Sequence, residues 1–157
     1  MKNLVKRRRA EFTQSGFDSI VREYAELGEK RKEAVELLSI ARDMGDRSEN
    51  AAYQSARKKL SSIDANMRRL THLMRDAVIV QPPATDIIGL GSKIEVKVGD
   101  DTRILTIVGG YESDIMSGKV SQFSPIGKNL IGKRKNDIVS IQVPAGTMIY
   151  TILNIAV

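Results

Sequence analysis

Ala41-Arg42-Asp43-Met44-Gly45-Asp46-Arg47-Ser48-Glu49-Asn50-Ala51-Ala52-Tyr53 is the stretch on which the fold turns. Gly45 lies near its middle, and an apolar repeat runs away from it in both directions. Upstream, Phe17, Ile20, Tyr24, Leu27, Ala34, Leu38 and Ala41 follow alternating steps of three and four, with Arg31 breaking the seam. Downstream, Tyr53, Ala56, Leu60, Ile63, Met67, Leu70, Met74 and Ala77 repeat the alternation. Such heptad spacing places one narrow apolar stripe along a helix. Two such helices joined at a glycine-containing turn predict an antiparallel coiled-coil hairpin running from about Ser15 to Val80. Each arm has about 30 residues and so reaches roughly 45 Å at 1.5 Å per residue. A compact bundle is the alternative, but bundle helices need a wider apolar face.

Outward from the hairpin the period changes. Gln81-Pro82-Pro83 stops the second helix and stiffens a linker. Lys93 to Val98 then alternates polar and apolar, as a half-buried strand does. Gly99-Asp100-Asp101 reads as a hairpin turn before Arg103 to Val108. Ile138 to Val143 and Met148 to Ile155 are two further strand candidates around Pro144-Ala145-Gly146. A short helix or turn is expected at Asn129 to Lys133. The fold class is therefore α+β. The hairpin domain takes residues 1–80, with an acidic tip near 43–53, and a small antiparallel β domain takes 81–157.

Composition narrows the chemistry. Of 157 residues, 25 are Lys or Arg and 19 are Asp or Glu, a formal charge of +6. That favours nucleic acid, or a machine that handles it, as surroundings. Cysteine is absent, which excludes disulfides, thiolate metal sites and cysteine nucleophiles. The one histidine, His72, sits beside the seam and reads as a surface residue. Lys6 to Arg9 is basic but no apolar stretch follows it, so neither a secretory signal nor a membrane span is expected and a cytoplasmic protein is the simplest reading.

The tip carboxylates admit two readings. Asp46-x-x-Glu49 has the form of a capping box, in which Asp46 caps the second helix and Glu49 reaches back to its backbone. Alternatively the pair captures a metal. Two carboxylates at the end of a rod cannot hold Mg²⁺ alone, because magnesium is usually completed by waters and phosphates. A partner would have to supply the rest of the site, and a two-metal centre there could activate water for phosphodiester hydrolysis. Spacing alone leaves both open.

Gly45-Asp46-Arg47-Ser48-Glu49-Asn50-Ala51, followed by Tyr53, resembles the tip signature of the GreA/GreB elongation factors. Gln54 to Lys59 and Ile63-Asp64 lean towards GreB. Ser124-Pro125-Ile126, Leu130-Ile131-Gly132-Lys133, Asp137-Ile138-Val139 and Pro144-Ala145-Gly146 match the family's C-terminal pattern in order. The resemblance covers about Ser15 to the end. It implies an FKBP-like C-terminal domain and a hairpin that enters the secondary channel of bacterial RNA polymerase. It further implies a factor that is no enzyme itself but stimulates the polymerase to cleave the nascent RNA 3′ end of a backtracked complex. By the same resemblance Asp46 and Glu49 help hold a Mg²⁺ shared with the polymerase, none being bound by the factor alone. Asn50 and Tyr53 position the tip, Arg42 and Arg57 face RNA phosphates, and Ser124 and Pro125 dock at the channel rim.

Three departures from the family pattern stand out. Most members carry an acid where this chain has Ala52. Phe123 replaces an acid beside Ser124-Pro125 and reads as a core residue, with an apolar docking anchor as the second possibility. The basic extension through Arg9 precedes the usual start and reads as a tail. A monomer is expected. Two other functions stay in competition: a channel-occupying regulator that stimulates no cleavage, and a proline-peptide isomerase. The last needs an aromatic-lined pocket, for which Tyr111, Phe123 and Tyr150 are too few.

Overall fold

The computed structural model describes residues 9–44, 50–84, 86–144 and 146–156. Asp46 and Glu49, and the basic extension before Arg9, lie outside them. The chain forms two units: residues 18–76, and a second in which residues 9–17 join residues 77–156. The division at residue 80 read from the sequence thus differs at the amino end, where a short segment belongs with the sheet.

In the first unit, α1 (Gln14–Asp43) contributes all but its opening turn, and α2 (Ala51–Asp76) follows the tip. The heptad reading matches the burial. Ile20, Ala34, Ala41, Ile63 and Leu70 are buried, and Tyr24, Leu27, Leu38, Tyr53, Ala56, Leu60, Met67 and Met74 are half-buried. Arg31, the break in the seam, is exposed and its Nε donates to Asp64 Oδ1 at 2.7 Å. Arg69 reaches Glu23 at 3.5 Å, and Asn50 reaches the carbonyl of Ala41. Partners on α2 fall in number as those on α1 rise, which is antiparallel pairing. His72 is exposed.

The second unit opens with β1 (Ala10–Phe12), which pairs in parallel with β2 (Ala77–Ile79). Neither strand was expected. The helix was read on to Val80, but α2 stops at Asp76. The cause is legible in hindsight: Val78-Ile79-Val80 is a β-branched run that favours a strand. Thr13 caps the start of α1, its Oγ1 accepting from the Gly16 amide at 3.1 Å. The Glu112 carboxylate accepts from the amides of Thr13 (2.8 Å) and Gly109 (3.2 Å), and from the Thr13 hydroxyl. A Cβ on Gly16 would collide with that carboxylate, so this glycine is required for close approach.

Five strands make the main sheet: β3 (Lys93–Val98), β4 (Asp101–Val108), β5 (Lys119–Ser121), β6 (Ile138–Val143) and β7 (Gly146–Ala156), in the order β5-β4-β3-β7-β6. Pairing is antiparallel except between β4 and β5, which run parallel. That short edge strand carries too few residues for any period and was not anticipated. Gly99, at φ 62°, opens the two-residue turn between β3 and β4, as such turns require. Ile94, Val96, Val139 and Ile141 face inward, while Lys93, Glu95, Ser140 and Gln142 face solvent. α3 (Pro125–Leu130) lies against β5 and β6 and buries Leu130. It starts four residues before the helix or turn expected at Asn129, because Ser124-Pro125 is itself a helix start. Ile88, Ile107 and Ile152 complete a continuous core. Among the described residues no helix is long and apolar enough to cross a membrane.

Candidate functional site at the hairpin tip

Asn50 is the hinge-pin of the tip. Its Nδ2 donates to the Ala41 carbonyl at 2.7 Å, satisfying an acceptor in the last turn of α1. Its Oδ1 accepts from the Tyr53 amide at 3.0 Å, the bond of an N-cap at the start of α2. One amide side chain therefore ties the end of one helix to the beginning of the next. A carboxylate could accept the second bond but not donate the first.

This arrangement changes the capping argument. The sequence alternative gave the cap of the second helix to Asp46, yet α2 begins at Ala51 and its cap is Asn50. Asp46 lies four residues before Asn50, so the N-cap role is filled without it. The positions of Asp46 and Glu49 themselves lie outside the described residues.

The other tip residues fall on both helices. Tyr53 is half-buried on the seam, in the first turn of α2. Arg42, in the last turn of α1, and Arg57, on α2, are both exposed, and neither forms a salt bridge with another described residue. Lys58, Lys59, Arg68 and Arg69 are exposed along α2. Exposed cations of this kind supply salt-sensitive attraction to phosphates.

A second surface lies in the sheet unit. Ser124 is the N-cap of α3: its Oγ accepts from the Gly127 amide at 3.0 Å and donates to the Ser121 carbonyl at 2.7 Å. Pro125 follows at the first helical position, which suits its fixed φ and missing N–H. These two residues thus have a structural role beside any docking role. Phe123 is 63% exposed, so the core reading of this residue is overturned. Its ring lies over Gly110, where a Cβ would approach to 3.1 Å. Phe123 lies between β5 and α3, where no periodic pattern signals whether a side chain is covered.

An apolar cleft of about 530 Å³ opens nearby, lined in part by Ile104, Ile115, Met116, Val120 and Tyr150. Tyr150 is the one aromatic on its wall. Phe123 is not part of it, and Tyr111 instead stacks on buried Phe12 with ring centroids 5.9 Å apart. On the rim, Ser117 Oγ donates to Asp114 and holds that carboxyl below its usual range. An aromatic-lined proline pocket is not what these residues build.

A hairpin whose two helices are tied by Asn50, followed in the chain by a curled sheet carrying one short helix, defines the class, and comparison with known proteins defines the family. Residues 10–79 match the family described as "Transcription elongation factor, N-terminal", and residues 82–157 match "Transcription elongation factor, GreA/GreB, C-term". Transcription elongation factor GreA of Clostridioides difficile is 37% identical over 148 residues, covering 91% of this chain and 93% of that protein. Its counterpart in Bacillus subtilis is 38% identical over 131 residues, covering 81% and 83%. The solved structure of GreA factor homolog 1 of Thermus thermophilus has 24% identity and a TM-score of 0.46, covering 96% of this chain and 100% of that one. The chain belongs to the GreA/GreB family of transcription elongation factors. The relatives named here are GreA factors, and they lend nothing to the GreB leaning of Gln54 to Lys59.

Proposed function

We propose that this elongation factor inserts its hairpin into the secondary channel of bacterial RNA polymerase and stimulates cleavage of the nascent RNA 3′ end in backtracked complexes. The chemistry belongs to the polymerase, and the factor acts as a monomer. Asp46 and Glu49 would hold a Mg²⁺ shared with the polymerase centre. When bound, that ion polarises a phosphoryl oxygen and lowers the pKa of its water. Asn50 ties the last turn of α1 to the first turn of α2, which flank the two acids in sequence. Tyr53 anchors the first turn of α2. Arg42 and Arg57 attract the RNA backbone, and Ser124 with Pro125 docks at the channel rim.

The observation that carries this reading is the Asn50 brace. It fills the cap that would otherwise have been the structural reason for an acid at Asp46. The test is transcript length in a stalled, backtracked complex with Mg²⁺, with and without the protein. Wild-type protein shortens the RNA, and Asp46→Asn/Glu49→Gln slows that shortening by roughly a hundredfold or more, the scale of a lost metal contact. Equal shortening by the double variant would remove the acids from the mechanism.

A second reading rests on Ala52, which is exposed at the second residue of α2, where most of the family carries an acid. With one supporting charge gone, the protein would occupy the channel and regulate the polymerase without stimulating cleavage. Binding without RNA shortening in the same assay distinguishes it.

A further inference from the structure

Exposed apolar side chains on the hairpin fall into two kinds. Val21 and Val35 stand singly on α1, and scattered residues like these need no explanation. Leu37, Ile40 and Met44 are different. They are 49%, 48% and 73% exposed; Leu37 and Ile40 lie three residues apart on α1, and Met44 follows four residues on, just past the end of that helix. Ala52 and Ala56 face them from α2, and together they line a cleft of about 440 Å³. Ser55 and Lys59 are its polar rim. The small side chains matter, since a longer residue at position 52 or 56 would fill the space.

We infer that this cleft is a second contact with the polymerase, seating an apolar side chain of the channel wall beside the tip. The inference rests on the function proposed above. Its occupant follows from area. Three half-exposed side chains offer on the order of 200–300 Å² of apolar surface, against about 800 Å² per partner in a stable dimer. A second copy of this chain would not stay bound on so little. The same surface is useful to a partner already held elsewhere, because tethering raises its effective concentration to the millimolar range. A channel that encloses the tip is such a partner. On this view Ala52 does more than omit a charge: it keeps one wall of the cleft apolar, where an acid would put a desolvated carboxylate against the incoming side chain.

The test titrates full-length protein onto immobilised backtracked polymerase complexes and reads RNA length on the same samples. Leu37→Ala/Ile40→Ala weakens binding roughly tenfold or more, the effect of losing two partly buried aliphatic side chains. Val21→Ala/Val35→Ala stays within about twofold, its side chains lying outside the cleft. Alanine is the best helix former, so neither variant endangers α1. Ser55→Glu, an acid in the favourable first turns of α2, also weakens binding. If wild type binds and shortens RNA while Leu37→Ala/Ile40→Ala and Ser55→Glu bind equally well, the cleft has no occupant and the inference falls, with the proposed function intact. If wild type does not bind polymerase at all, both fall. Sedimentation of the full chain as a dimer that Leu37→Ala/Ile40→Ala dissociates would assign the cleft to a second copy and overturn it as well.

Discussion

The hairpin and the sheet unit solve the burial problem in opposite ways. The sheet closes a continuous core in which Ile94, Val96, Ile107, Leu130, Ile141 and Ile152 are essentially inaccessible. The hairpin buries a seam one side chain wide, most of whose members are only half-covered, and keeps cross-arm ion pairs in solvent. A core of the first kind concentrates stability in a few side chains. A seam of the second kind spreads it thinly, and leaves most of the rod's surface available for charge. The sheet unit thus holds its shape through a closed core, and the hairpin leaves its flanks to charged side chains.

The comparison breaks most visibly at the sheet. Ile152→Ala removes a fully buried side chain that packs among β3, β6 and β7 neighbours, and is expected to cost about 2–5 kcal/mol. Half-buried Leu60 on the hairpin has much less to lose. Hydrogen exchange read residue by residue checks this: amide protection in β3 and β7 falls steeply in Ile152→Ala, whereas Leu60→Ala changes α2 protection by less than half as much. Equal losses would mean that the seam is as tightly packed as the core.

Asn50 sharpens the contrast on a smaller scale, because one side chain there does what a core does elsewhere. Asn50→Ala deletes both of its bonds and should cost about 0.5–2 kcal/mol, the range for lost caps. Asn50→Asp is the informative partner. It keeps an acceptor for the Tyr53 amide but has no donor for the Ala41 carbonyl. Exchange at Tyr53 is therefore near wild type in Asn50→Asp and faster in Asn50→Ala. RNA cleavage falls in both if the tie to α1 is what fixes the turn. Wild-type cleavage by Asn50→Asp would reduce this residue to an ordinary cap.

Periodicity explains what was legible in the sequence. Most seam positions agree with the burial because a heptad repeat sustained over two arms has no competing template; Ala77 instead falls in β2, and Leu73, outside the repeat, is buried as well. Strands β3 and β6 were read because polar and apolar residues alternate cleanly along them. The missed elements are those too short to show a period: β1, β2 and β5 have three residues each, and β1 pairs with a strand far away in sequence. Helix α3 starts four residues before Asn129, at the Ser124 cap, because six residues are too few to show a helical period and only the cap marks its start. At the tip, the residue types were legible but the division of roles was not. Asp46 and Asn50 are both good caps by propensity, and only the start of α2 at Ala51, with Asn50 bonded to the Tyr53 amide and the Ala41 carbonyl, decides between them. Exposure of Phe123 depends on what covers a loop in three dimensions, which no local pattern encodes.

The smallest effect tests whether the rod's register is held by charge at all. Arg31 interrupts the seam and pairs with Asp64 at 2.7 Å, with side chains 47% and 29% exposed. Exposed pairs contribute about 0–1 kcal/mol, and this one should sit near the upper end because Asp64 is partly sheltered. A double-mutant cycle with Arg31→Ala and Asp64→Ala isolates the pair from each residue's helix propensity. Coupling of about 0.5 kcal/mol that shrinks in 1 M salt is the expected result, since a Debye length of about 3 Å screens so open a contact. Replacing Arg31 with Leu instead restores the heptad step between Leu27 and Ala34. If Arg31→Leu stabilises the hairpin more than the ion pair does, charge at this position is there for register or partner, because an uninterrupted seam would have been the more stable choice.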